Sequence, residues 1–266
     1  MRRSALLLAL VVVLALGAVV ATVIVTSAPQ NPIADDGSAV AAAQAGGAKP
    51  QLPPVSSTAV GALFVDGSHY CTASVVHSDP GDVLVTAAHC IHNGEGGDYI
   101  SGITFAPGFH NGIAPFGFWD VSNELVAPGW ASSSDPDLDV GFATAHQRGN
   151  PKTLESVAGA NKLATSGAFV QPITLTGYPD DSDVPAVCQN TTSQQDTYQL
   201  RVDCVGFPNG TSGGPWVTQQ DPKTRLGTVI GVIGGFQYGG DDPDTSYSSY
   251  FDTDVAALYR QTASRS

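Results

Sequence analysis

Positive charge is scarce in this chain. Its 266 residues hold 11 lysines and arginines against 24 aspartates and glutamates, a formal net charge of −13. Nucleic acids and anionic membrane surfaces attract proteins through lysine and arginine clusters, so the balance argues against both as partners. Charged residues of either sign make up only 13% and methionine occurs once, whereas glycine reaches 30 and proline 18. That mixture argues against a helical bundle and for many short strands joined by tight turns. Cysteine is limited to positions 71, 90, 188 and 204, and no pair has the C-x₂₋₄-C spacing of a zinc site. In an exported chain four cysteines read as two disulfides with three possible pairings, of which proximity selects Cys71–Cys90 and Cys188–Cys204.

Long apolar runs are also missing, with one exception. Met1-Arg2-Arg3 precedes an apolar stretch over 5–25, and Thr26-Ser27-Ala28 supplies the small residues a signal peptidase requires. The expectation is a signal peptide cleaved after Ala28; the stretch is long enough that retention as a membrane anchor is the alternative. Either way the rest of the chain lies outside the cytoplasm, secreted or tethered at the cell surface. Residues 29–55 hold Ala, Gly, Pro, Gln and Ser with almost no large apolar side chains. They cannot bury enough surface to offset their ordering entropy, so they read as a linker or pro-segment. The folded domain is expected over 56–266.

Within it, short apolar runs recur at 60–65, 70–76, 83–88, 100–106, 124–127, 140–143, 168–175, 198–205 and 228–233. Asp66-Gly67, Asp79-Pro80-Gly81, Pro107-Gly108 and the stretch 239–243 between them are turn chemistry. Evenly spaced short strands indicate a sandwich or barrel. The one helix expected is C-terminal, where Asp252 or Thr253 caps a run with Val255, Leu258 and Tyr259 at helical spacing.

Three motifs carry chemistry. In Leu84-Val85-Thr86-Ala87-Ala88-His89-Cys90 an apolar strand delivers a histidine at its end, beside small residues and a cysteine able to lock the turn. In Gly210-Thr211-Ser212-Gly213-Gly214-Pro215 a serine sits among glycines. A hydroxyl is a weak nucleophile until a base takes its proton, and the resulting oxyanion needs backbone N–H donors that glycine-rich chain can aim. Gly210 and Ser212 are the expected donors. In Asp137-Leu138-Asp139-Val140-Gly141-Phe142 a carboxylate stands at the mouth of an apolar strand, where it can orient a histidine. Asp139 is chosen over Asp137 because the apolar strand follows it directly.

Chain order separates the serine hydrolases. An α/β-hydrolase needs its histidine after the serine, and all six histidines precede Ser212. The subtilisin order puts aspartate first; here the best aspartate follows His89. With Cys71-Thr72-Ala73-Ser74 added, the three motifs resemble those of the chymotrypsin/trypsin-like serine peptidase superfamily, and Gly177-Tyr178-Pro179 is similar to its bacterial, secreted glutamyl-endopeptidase-like branch. The resemblance spans roughly residues 56–262.

It implies an all-β fold of two six-stranded antiparallel β-barrels with a short C-terminal helix. It also implies a serine endopeptidase with His89 as general base, Asp139 as its orienting carboxylate and Ser212 as nucleophile. The alternative is a protease-like binding module that has lost activity. No cofactor and no metal is required; the acidic stretches 180–183 and 239–244 have room for calcium without demanding it. The partner is a protein or peptide substrate, and the chain is expected to be a monomer. Thr211 stands where pancreatic-type enzymes have an aspartate, so activity is not expected to depend on an ion pair with a freed N-terminus. The substrate pocket is expected at Gly206, six before the serine, and at Gly234, Gly235 and Phe236, with Phe236 and Tyr238 either narrowing the pocket or covering the core. Gly206 replaces the aspartate of trypsin-like members, which argues against a strong Arg/Lys preference.

Overall fold

The computed structural model describes residues 56–265, so the expected signal or anchor over 1–28 and the linker over 29–55 lie outside the described residues. The first six strands close into a barrel: β1 (Val60–Val65), β2 (Ser68–Val75), β3 (Val83–Thr86), β4 (Thr104–Pro107), β5 (Trp119–Val126) and β6 (Gly141–His146), in the order β1-β2-β3-β6-β5-β4. Alternation along these strands divides their side chains between two sides. Leu63, Leu84, Ala143 and Ala145 are buried, and the first two join Phe105 and Trp119 in one core. Val83, Val85 and Phe142 face the opposite way, into a second core. Gly61 is required where β1 meets β4, because a Cβ there would lie 2.2 Å from the Ala106 carbonyl oxygen.

Three short helices accompany the strands: α1 (Pro128–Ser133), α2 (Leu154–Ala158) and the C-terminal α3 (Thr253–Ala263). In α3 the Asp252 carboxylate accepts the N–H groups of Asp254 and Val255, and Val255 and Leu258 are buried. They pack in the second core with Val83, Val85 and Phe142 of the barrel and Val217, Val229 and Val232 from later in the chain. That core therefore joins the two halves of the domain. Among the described residues no helix is long and apolar enough to cross a membrane.

The second half is also β, and its strands are arranged in two sheets. One has the order β7-β13-β12-β8-β9, from β7 (Lys162–Leu163), β8 (Pro172–Gly177), β9 (Ala186–Thr191), β12 (Pro215–Thr218) and β13 (Thr228–Val232). The other has the order β10-β11-β14, from β10 (Ser193–Asp196), β11 (Gln199–Asp203) and β14 (Thr245–Ser249). Side chains join the two sheets in addition to the backbone bond from Gly234 N–H to the Tyr247 carbonyl. The Val232 N–H donates to the Ser248 hydroxyl at 3.0 Å, and Gly231 lies so close that a Cβ would sit 2.5 Å from that oxygen. The Asn190 amide donates to the Asp203 carbonyl at 2.6 Å, and the Cys188–Cys204 disulfide crosses the same seam. Between the sheets lie Ile173, Leu175, Leu200, Val202 and Trp216.

Candidate active site

His89 follows β3 directly, in the middle of a single 3₁₀ turn, Ala88–Cys90. The Cys71–Cys90 disulfide ties that turn to β2. Asp139 ends a second 3₁₀ turn, Pro136–Leu138, just before β6. The two side chains meet: His89 Nδ1 lies 2.8 Å from Asp139 Oδ2, with Asp139 fully buried. A carboxylate removed from water needs compensating donors. Asp139 accepts two more N–H groups, from the His89 backbone at 3.0 Å and from Gly235 at 2.9 Å. With the carboxylate as acceptor, the imidazole proton is held on Nδ1 and Nε2 is left as a base.

Asp137, the carboxylate passed over in favour of Asp139, faces elsewhere and accepts the Gln199 side-chain amide at 2.8 Å. Gln199 also donates to the Pro136 carbonyl at 2.9 Å, and its own oxygen accepts the Phe236 N–H at 3.1 Å. One buried amide thus fixes both the turn carrying Asp139 and the segment after β13. Nothing in the local sequence around Gln199 signals that role, because its partners are about 60 and 40 residues away.

Ser212 lies in a turn whose backbone is shaped by glycine. Gly210 and Gly213 have φ of 88° and 78°, a region that favours glycine. At Gly213 a Cβ would stand 2.1 Å from both the Thr72 carbonyl and the Thr86 hydroxyl, so only glycine fits. The turn is anchored by Gly213 N–H to the Ile233 carbonyl and Thr72 N–H to the Ser212 carbonyl, each 2.7 Å. The Thr72 hydroxyl accepts the Tyr178 N–H at 2.8 Å and donates to the Gly210 carbonyl at 3.2 Å. Neither the Gly210 nor the Ser212 N–H donates to an acceptor among the described residues.

His89 and Ser212 line one cleft of about 660 Å³ together with Gly210. Phe207, Ile233, Gln237, Tyr238, Asp241 and Pro243 continue its walls. The four positions expected as pocket do not line it. Gly206 is exposed, and its φ of 87° turns its N–H toward Asp244 Oδ1, 3.3 Å away. Gly235 is turned toward Asp139, Gly234 is buried with its N–H on the Tyr247 carbonyl, and Phe236 packs edge-on against Tyr247 at 5.1 Å.

Tyr70, at the cleft, donates its hydroxyl to the Cys90 carbonyl at 2.6 Å; burial, then nearby Glu124, holds its phenol pKa well above the usual value. Tyr178 is fully buried with its hydroxyl on the Phe109 carbonyl at 2.7 Å, and burial raises its pKa further still. Both remain neutral donors. The one grouping of possible metal ligands among the described residues is Cys71, His89 and Cys90, and both sulfurs are committed to the disulfide. A disulfide sulfur is no thiolate ligand, so this set does not hold a metal.

No protein-family model and no curated protein matches the sequence. Solved structures do. A protease, Anisep, from Arthrobacter nicotinovorans is 26% identical, with a TM-score of 0.69 over 78% of this chain and 96% of its own. A thermostable serine protease, AL20, from an extremophilic microorganism is 24% identical, with a TM-score of 0.71 over 80% of this chain and 100% of its own. A Glu endopeptidase is 14% identical, with a TM-score of 0.63 over 78% of this chain and 91% of its own.

Proposed function

We propose that this chain, whose fold is similar to that of solved serine proteases, is an exported endopeptidase of the chymotrypsin/trypsin-like superfamily that cleaves peptide bonds through an acyl-enzyme on Ser212. The observation carrying this reading is the 2.8 Å contact from His89 Nδ1 to buried Asp139, with His89 and Ser212 facing one cleft. His89 Nε2 takes the Ser212 proton as Oγ attacks the substrate carbonyl, and Asp139 stabilises the imidazolium that results. The free N–H groups of Gly210 and Ser212 receive the oxyanion. His89 then protonates the leaving amine, and water repeats the sequence to release the acid and regenerate Ser212.

Neither a metal nor a cofactor enters this chemistry. Export is supported by the two disulfides, which persist in oxidising compartments, and by the N-terminal sequence pattern. The test is an intact mass of residues 29–266 after treatment with a fluorophosphonate, with Ser212→Ala as control. One adduct, lost in the variant, is the expected result. No adduct on folded, disulfide-bonded protein would instead favour the silent binding module.

A further inference from the structure

Tyr238 lies against His89, in a stretch of strained backbone. Its ring meets the His89 ring edge-on, with centroids 5.6 Å apart at 85°, and meets Trp130 the same way at 6.2 Å and 88°. Trp130 is buried and Tyr238 is 61% exposed, so the tyrosine contributes an open apolar face to the cleft beside the histidine. The backbone at Gln237 and Tyr238 has φ of 54° and 55°, a left-handed conformation that costs non-glycine residues. Gly235, Gly239 and Gly240, also at positive φ, flank the pair, and the Tyr238 N–H closes the turn on the Gly235 carbonyl at 2.9 Å. This cost is sustained while Tyr238 is held over His89.

The rest of the cleft agrees in chemistry. Phe207, Ile233 and Pro243 add apolar wall. Its acidic lining groups are the carboxylates of Asp180 and Asp241, with no lysine or arginine among the described lining residues. A carboxylate entering this space would find like charge and no cation to offset desolvation.

We infer that Tyr238 is a specificity-determining residue: the cleft takes a large apolar or aromatic substrate side chain, packed on Tyr238 beside His89, and rejects an acidic one. This rests on the serine endopeptidase reading, and the experiment separates the two. One portion of the wild-type chain is treated with a fluorophosphonate to establish the adduct, and a separate, untreated portion is assayed on peptides carrying Leu, Ala or Glu at each of the first two positions on the acyl side of the scissile bond. Where the treated portion carries the adduct, kcat/KM of the untreated portion at one of these positions is expected to fall in the order Leu, Ala, Glu. Tyr238→Ala should lower the Leu-to-Ala ratio about tenfold, the scale on which an apolar pocket discriminates. Tyr238→Phe should keep that ratio, since the ring and not the hydroxyl does the sorting. A ratio is the decisive readout because a general loss of activity scales both substrates alike. An unchanged ratio in Tyr238→Ala, or Glu peptides cleaved as well as Leu peptides, overturns the role of Tyr238 alone. Absence of the adduct overturns the peptidase reading as well.

Discussion

The backbone N–H of Thr72 donates to the carbonyl of Ser212 at 2.7 Å, across 140 positions of sequence, and so places the serine turn of one half against a strand of the other. The same residue uses its hydroxyl on Tyr178 N–H and the Gly210 carbonyl. Replacing Thr72 by valine keeps the shape and strands a buried N–H. Such a loss costs about 1–3 kcal/mol. Urea unfolding should show a lower midpoint with unchanged slope, and peptide turnover should fall; Thr72→Ser should restore most of both.

Asp139→Asn tests the histidine geometry. Asp139 accepts three N–H groups, and an amide can only present one oxygen to them while its NH₂ opposes a donor. Turnover should drop about 10⁴-fold, the scale seen when such a histidine is held in the wrong tautomer. Melting should move down as well, and an unaltered pH–rate profile with near-native turnover would contradict the assignment.

Gly213→Ala should be worse than either. Its Cβ would sit 2.1 Å from two oxygen atoms at a backbone φ of 78°. The expected result is poor recovery of folded protein, read by near-ultraviolet circular dichroism.

Alkaline stability follows from Tyr70 and Tyr178. Both have pKa values raised on folding, by burial first, so the stability they contribute is complete below pH about 10 and is lost as pH climbs above it. Each buried phenol contributes a slope of about 1.4 kcal/mol per pH unit in that range. Tyr178→Phe should remove one such slope. Denaturant midpoints measured from pH 9 to 11 would reveal it, and equal slopes in both proteins would refute it.

The two disulfides should separate stability from activity. Each closes a loop of under 20 residues, worth about 3 kcal/mol in the chain-entropy model. Paired serine replacement at 188 and 204 should lower melting with little change in kcat. The same change at 71 and 90 should lower both, because that bond fixes the turn carrying His89.

What the sequence made legible was what chemistry and alternation encode locally. The run at 60–65 coincides with β1, the cysteines pair as their proximity suggested, and the capped helix begins after Asp252. Strands such as Gln189-Asn190-Thr191 of β9 and Ser193–Asp196 were invisible, since they are polar, exposed and ordered by their partners rather than by apolar alternation. At the site, the histidine and serine stood out because glycine, alanine and cysteine flank them. Gln199 and Thr72 did not, since what they do depends on residues brought near only by the fold.

The core that holds Val83, Val85 and Phe142 of the first barrel also needs Val255 and Leu258 of α3. Those partners are more than 100 residues apart, and contacts of such separation are slow to form. During synthesis, the barrel bearing His89 waits for a segment more than 100 residues downstream of Phe142 before its outer face is covered. For a proposed protease this timing has a use: the cleaving machinery matures only after both halves that build its cleft have been made.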